Sequence, residues 1–516
     1  MHPVFFALLP VLLFYTGNIG EVRLADLWLP LLVALLASLP VWWLCRRLAR
    51  DSTRGAVLAS FFWVWFFAYG HWRRWLDAHG PSSEDLGLLL YGALFAAAVV
   101  VVATRRDLKH LSGALNLIAV GLVTLELAII GRYEAPRLWH RPEVAQARVE
   151  ARAATSETAR PHLFFIVLDG YARADVLADL YRYDNRQFLD FLRRRGFQIA
   201  ANSRANYCQT TLSLASCLNL GYLDPPVVPG PQSTDRRPLQ NLIDANRTCA
   251  FLREQGYDIV PFATGFQSTE MPGSEAHRPR RRLGALSEFQ SALLSTTPLL
   301  PLLRTRLPVY VDADHLRAET VLYAFSHLPS AARSPRPTFV FAHIVNPHPP
   351  FVFHRDGTMV EVLRDTGLAD GADFTGKPGV YVAGYREQME FVNARVETMV
   401  DEILAMSARP VAIVIISDHG PGSRLDWKHL EKVDLRERFS TLVAIRLPQR
   451  HPAKLDDDIS TVNVLRFVLS QCLGADLPPL PSRSYFSNFD APYRFIEVTD
   501  AQGRYRQFGP PGTKGG

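Results

Sequence analysis

Two apolar strands, far apart in the chain, each run into metal-ligand chemistry. Leu163 to Leu168 leads into Asp169-Gly170, and Val411 to Ile416 leads into Ser417-Asp418-His419-Gly420. Two carboxylates and an imidazole form a donor set that one divalent cation can share. Between the strands lies Asn206 to Ser216, a run of small hydroxyl residues with Thr210 and Thr211 side by side. A threonine hydroxyl is a weak nucleophile until a base or a metal lowers its pKa. A cation held by Asp169, Asp418 and His419 would do that, and would neutralise charge on a phosphoryl or sulfuryl oxygen. Taken alone, a Thr-rich helix start is usually an N-cap. Its place between two candidate metal-binding strand ends is what singles it out.

A second cluster, His343 to Phe351, ends another apolar run with the order His-Ile-Val-Asn-Pro-His-Pro-Pro-Phe. A histidine here can contact substrate oxygens or protonate a leaving group. The prolines make a stiff loop that would hold His348 in place. A lone histidine in such a position is more often structural; two at one strand end favour substrate contacts for His348 and, less strongly, for His343. His429 is a further candidate substrate or metal contact.

These residues need a frame that brings strand ends together. Continuous apolar runs read as strands buried on both faces, the habit of parallel sheets, which bind ligands at their carboxyl ends. Further strands are expected at 257–262, 338–345 and 440–447, with helices at 185–195, 241–255, 385–406 and 463–473. The alternation predicts an α/β sandwich with a mostly parallel central sheet.

The first 131 residues differ. Segments 3–19, 26–45, 55–71, 86–103 and 112–131 are each apolar enough to be candidate membrane helices, for which about 20 apolar residues suffice. The first reads as a retained helix, since His2 makes a poor signal-peptide start. Arg46, Arg47, Arg50 and Arg54 lie in one loop and Arg105, Arg106 and Lys109 in another. Placing both in the cytoplasm leaves everything after 132 outside. Glu126 is the one acidic residue deep in a clear span, as a helix-packing or lipid-headgroup contact.

The domain plan is therefore a transmembrane region over 1–131, a stalk over 132–160, a catalytic domain over 161–498 and a disordered tail over 499–516. Within the third, 265–335 reads as an insertion packed on the core, or a lid dipping toward lipid. The net charge of +6 is modest and mostly arginine. No clustered basic-aromatic pattern points to nucleic acid. Of five cysteines, four lie in the exported part, where Cys208 and Cys217 could close a short loop or remain free thiols.

The order LDGY (168–171), a Thr-containing loop (207–217), HxxxPHPPF (343–351) and SDHGPGS (417–423) resembles the sulfatase-like branch of the alkaline phosphatase superfamily. Membrane helices ahead of an exported catalytic domain resemble the lipoteichoic acid synthase and phosphoethanolamine transferase architecture. The resemblance implies one Mn²⁺ or Zn²⁺ held by Asp169, Asp418, His419 and the nucleophile. It implies Thr210 as that nucleophile, because Ser213 sits at the family's three-residue offset; Thr211 is the fallback. The sulfatases' own C/S-x-P-x-R motif is absent, since Cys208 is followed by Gln-Thr-Thr.

The expected protein is a multi-pass enzyme of the cytoplasmic (inner) membrane with its catalytic domain outside. It would move a phosphoryl-linked headgroup, phosphoethanolamine- or phosphoglycerol-like, from a phospholipid to a cell-envelope glycan or lipid acceptor. A hydrolase of the same fold, acting on phosphodiesters or sulfate esters, and an inactive envelope scaffold are the rival readings. A transporter is suggested by the helices alone.

Overall fold

The fold comes from a computed structural model, which describes residues 1–79, 84–104, 107–139, 160–224, 227–279, 286–306, 313–360, 370–371, 374, 378–449, 452–500 and 503–508. The expected stalk beyond 139, the loop residues Arg105 and Arg106 and the last eight tail residues lie outside that set. Contacts divide the chain into two compact units, Met1–Pro142 with Arg281–Ala313, and Glu143–Arg280 with Asp314–Gly516.

The first unit carries, among the described residues, the helices α1 (His2–Gly17), α2 (Trp28–Ala49), α3 (Ser52–His79), α4 (Glu84–Thr104) and α5 (Lys109–Trp139). Two stretches, Leu24–Ala49 and Lys109–Arg137, are long and apolar enough to cross a membrane. The other three helices, α1, α3 and α4, coincide with expected spans. Several polar side chains in these helices pair with one another. The His2 ring bonds Ser60 of α3 (2.6 Å) and Ser112 of α5 (3.0 Å). Glu126 is buried and accepts from Thr16 at 2.5 Å, the helix-packing role.

Of the segment 265–335, expected as an insertion on the catalytic core, the described residues 286–306 and 313 group with this first unit and the remainder with the second. Phe289 and Leu293 pack in one apolar cluster with Leu9, Leu12 and Tyr15 of α1 and Val123 of α5.

The second unit is built on a six-stranded sheet among the described residues. Its strands are β1 (His162–Leu168), β2 (Gln198–Ile199), β3 (Asp258–Pro261), β4 (Thr338–Ile344), β5 (Val411–Ile416) and β6 (Val443–Arg446), in the spatial order β2-β6-β5-β1-β4-β3. The pairs β1–β4, β1–β5 and β3–β4 are parallel, whereas β6 runs antiparallel to both β5 and β2. Every residue of β1, β4 and β5 is buried, as the apolar runs Leu163–Leu168, Phe339–Ala342 and Val411–Ile416 at their centres require. Each Phe, Ile or Leu fully buried this way contributes roughly 1.5–3 kcal/mol.

Alternation along the strands divides the core between the faces. On one side, Leu163, Phe165 and Val167 pack with Leu212, Leu214 and Leu218. These last three lie on the helix Thr210–Leu218. On the other, Phe164, Ile166 and Leu168 meet Tyr381, Tyr385, Met389 and Val392 of the helix Pro378–Met406. The expected helix 241–255 is two, Arg237–Asp244 and Arg247–Glu254. Asn246 breaks it and caps the second through Cys249 N. The tail expected to be disordered from 499 packs at least in part: Thr499 pairs with Tyr505, whose ring lies 6.2 Å from that of Phe439.

Candidate active site

Register brings the chemistry together. Val167 pairs with His343 on one side and with Ile416 on the other, so β4, β1 and β5 end side by side. Asp169 follows β1, His343 lies near the end of β4 with His348 just beyond, and Asp418-His419 follows β5. Gly170 turns the chain at φ +72°, a conformation that suits glycine, with its α-hydrogen side 3.7 Å from His348. The Tyr385 hydroxyl secures that turn, donating to Gly170 O (2.8 Å) and accepting from Ala172 N (3.0 Å).

Partners decide which ring nitrogen is free. His419 Nδ1 lies 2.9 Å from Gly420 O, and a carbonyl only accepts, so Nδ1 carries the proton. The lone pair of Nε2 then points into the site. Within reach of it are Thr210 Oγ1 at 3.0 Å, Asp418 Oδ2 at 3.3 Å and Asp169 Oδ1 at 3.6 Å. Asp169 Oδ1 and Asp418 Oδ2 are buried and have no hydrogen-bond partner among the described residues. Their sister oxygens are engaged, Asp169 Oδ2 by His343 Nε2 (3.2 Å) and Asp418 Oδ1 by Gly170 N (3.2 Å).

Two orphaned carboxylate oxygens facing one imidazole lone pair are costly unless a cation sits among them. The donor set thus fits a divalent metal held by Asp169, Asp418 and His419, with Thr210 Oγ1 beside it. Protonation states agree. Burial pushes the Asp169 carboxyl up, but the neighbouring His348, His343 and His419 outweigh it and hold it below the usual carboxylate range. Burial, aided by the Arg438 charge, lowers His419 and favours its neutral, ligating form.

The other expected residues divide. Thr210 is half-buried at the first position of its helix, while Thr211 is turned into the core at 4% exposure. Ser213 Oγ donates to Asp418 O at 2.7 Å and so ties the helix to the β5 end. His343 does not present itself to substrate. Its Nε2–H must donate to Asp169, which can only accept, and its Nδ1 meets Thr269 Oγ1 at 2.9 Å. It orients a ligand carboxylate instead. His348 stands at the site, with Nδ1 held by Pro349 O (2.7 Å) and Nε2 3.6 Å from Asp370 Oδ2. His429 is not brought in: it is exposed and faces Glu431 at 3.3 Å. Cys208 and Cys217 are free thiols, and Cys208 Sγ turns to Ser487 O (3.5 Å), away from the cluster.

Two buried groups had escaped the sequence reading. Asp370 and Arg438 form a 2.7 Å ion pair beside His419 and His348. Asp370 leaves no room for a side chain at position 422, where a Cβ would fall 2.5 Å from its Oδ2, so the second glycine of Asp-His-Gly-Pro-Gly is required. Neither residue had a local signal. Asp370 lies in irregular sequence, and the Leu-Arg-Glu-Arg-Phe run around Arg438 reads as a solvated turn of helix.

No protein-family model matches the chain, and no curated protein matches it in sequence. It is similar in structure to the C-terminal periplasmic domain of EptC from Escherichia coli in complex with Zn, at 11% identity and TM-score 0.42, covering 68% of this chain and 96% of that one. The integral membrane lipooligosaccharide phosphoethanolamine transferase A from Neisseria meningitidis matches at 12% identity and TM-score 0.39, covering 92% and 96%. A protein in the alkaline phosphatase superfamily from Vibrio parahaemolyticus matches at 11% and 0.39, covering 69% and 81%. At these scores the chemistry has to be drawn from this chain's own residues.

Proposed function

We propose that the chain is a membrane-attached, metal-dependent transferase of the alkaline phosphatase superfamily. It moves a phosphoryl-linked headgroup from a phospholipid to a cell-envelope glycan or lipid through a phospho-Thr210 intermediate. The observation that carries this reading is the convergence of Thr210 Oγ1 and two unpaired carboxylate oxygens on the free lone pair of His419 Nε2. Mn²⁺ or Zn²⁺ suits such a set, and the two candidate spans and the basic loops of the sequence support a reaction at a membrane, in a domain outside the cytoplasm.

A bound divalent ion supplies Lewis acidity, lowering the pKa of the Thr210 hydroxyl and neutralising phosphoryl charge. The residues do the rest. Thr210 Oγ1 gives its proton to solvent water and forms the new bond to phosphorus as the bond to the diacylglycerol oxygen breaks. His348, entering as the imidazolium with Nδ1–H held by Pro349 O, delivers from Nε2 the proton that the departing oxygen needs. In the second half-reaction the acceptor hydroxyl attacks phosphorus and gives its proton to His348 Nε2, while the released Thr210 Oγ1 takes a proton back from solvent. The first turn of the Thr210 helix adds N–H groups with no intrahelical partner, which favour an anion.

The position of Cys208 disfavours a sulfatase acting through a modified residue there, because its side chain points to Ser487. An inactive scaffold has no use for paired, unpartnered buried carboxylates.

The test is peptide mapping by mass spectrometry of the full chain in detergent, loaded with Zn²⁺ or Mn²⁺ and incubated with mixed phospholipids. A mass increment on Thr210, lost in Thr210→Ala and kept in Thr211→Ala, is the expected result; its size names the headgroup. Free headgroup in solution with no acceptor modified would turn the reading to a hydrolase. An increment that survives Thr210→Ala would overturn the nucleophile.

A further inference from the structure

Arg438 is 2% exposed and plays no part in the mechanism above. Its guanidinium is nearly used up by the protein. Nε donates to Cys208 O at 2.9 Å, and Nη1 donates to Asp370 Oδ2 at 2.7 Å and to Gly420 O at 3.1 Å. Its cationic carbon lies 5.3 Å from the Trp427 ring centroid. What remains is Nη2, whose described partner is His419 Nε2 at 3.3 Å.

That partner cannot serve twice. One lone pair on Nε2 either accepts from Arg438 or binds a metal, and the same atom faces Thr210 Oγ1 and the two orphaned carboxylate oxygens. Once Nε2 is a ligand, neither Nη2 N–H has an acceptor among the described residues, in a buried place where an unmet donor costs about 1–3 kcal/mol or more. Nη2 lies 3.3 Å and Thr210 Oγ1 3.0 Å from the same His419 Nε2, so a group bonded to Thr210 Oγ1 comes within reach of Nη2. The acceptor that fits two N–H groups there is an anionic oxygen on the atom bonded to Thr210.

Charge balance points the same way. Asp169, Asp418 and Asp370 are buried carboxylates at the site, buried Glu437 is next to Arg438 in sequence, and Arg438 is the buried guanidinium among them. Without Arg438, an anionic phosphoryl group would enter a site already negative.

We propose that Arg438 is a catalytic residue that donates from Nη2 to a non-bridging phosphoryl oxygen, and that Asp370 is a positioning residue that clamps its guanidinium. The proposal rests on the phosphoryl-transfer reading of the site, but its test does not depend on turnover. The probe is inorganic phosphate, with binding measured by calorimetry on the Zn²⁺-loaded full chain in the Thr210→Ala background, where no adduct can form. Zinc content and melting are read in the same samples.

Arg438→Lys and Arg438→Gln should weaken phosphate binding about ten-fold or more, as expected for a lost charge-assisted pair, with zinc still bound. Unchanged affinity in both would overturn the assignment. Should these variants lose zinc or fold poorly, Asp370→Asn decides, because it leaves the guanidinium in place and removes only the clamp. A several-fold loss of phosphate affinity at full zinc content is expected; no loss would refute the clamp and the donor with it. A Thr210 adduct failing in wild type while these losses hold would discard the transferase and keep the anion site.

Discussion

Ser213 Oγ donates to the main-chain oxygen of Asp418 at 2.7 Å, joining the helix that starts at Thr210 to the end of β5. The three-residue offset from Thr210 matters because residues i and i+3 share a helix face. Thr210 then reaches His419 Nε2 while Ser213, one turn on, anchors the helix below it. Replacing Ser213 with Ala should leave Asp418 O unsatisfied and cost about 1–3 kcal/mol. Melting should fall by several degrees and turnover should drop, with metal content intact. A variant that melts like wild type would show that the bond holds nothing.

His343 is expected to act through Asp169. His343→Ala should weaken metal binding about 10–100-fold, the usual effect of losing a group that orients a ligand. At saturating metal, KM for the phospholipid should stay unchanged. A raised KM with normal metal affinity would restore the substrate contact that position in the chain suggests.

The unpaired oxygens of Asp169 and Asp418 make the metal a stabiliser of the fold. Zinc at a hundred times its dissociation constant should add about 2.7 kcal/mol. Chelation should accordingly lower the melting temperature of the second unit by roughly 4 °C, with recovery on adding Zn²⁺ or Mn²⁺. Asp418→Asn should be insensitive to chelator. Equal melting with and without chelator in wild type would remove the metal from the site.

Asp175 supports the segment that carries Arg438. Arg173 bonds it at 2.6 and 3.0 Å, and Arg436 at 2.8 and 3.1 Å. Burial raises its pKa, but these hydrogen bonds prevail and bring it to about 2 from an ordinary 3.8. A depressed carboxylate stabilises fully above its unfolded pKa and loses that contribution as pH falls toward the folded value. The gap between wild type and Asp175→Asn should therefore be present at pH 7 and close between about pH 4 and pH 2. Discounted for solvent screening at a half-buried pair, it amounts to about 1 kcal/mol. Urea melts at both pH values measure it; a gap that persists at pH 2 would rule out the charge as its source.

Much of the second unit could be read from local pattern. Unbroken apolar runs mark β1, β4 and β5, because a strand covered on both faces tolerates few polar residues. Polar residues just beyond such runs must lie at strand ends, which is how Asp169, Asp418, His419 and His348 declare themselves. Tertiary structure decided the rest. Thr210 rather than Thr211 meets His419, since successive helical residues differ by about 100° in direction and only one can face the metal. Pairing of β1 with β4 put His343 against a carboxylate and so removed it from substrate, and His429 fell outside because its loop turns toward Glu431. Asp370 and Arg438 are separated by a long stretch of chain with no shared periodicity. Their pairing is visible only where the fold buries both charges, because a lone buried ion is too costly to keep without its partner.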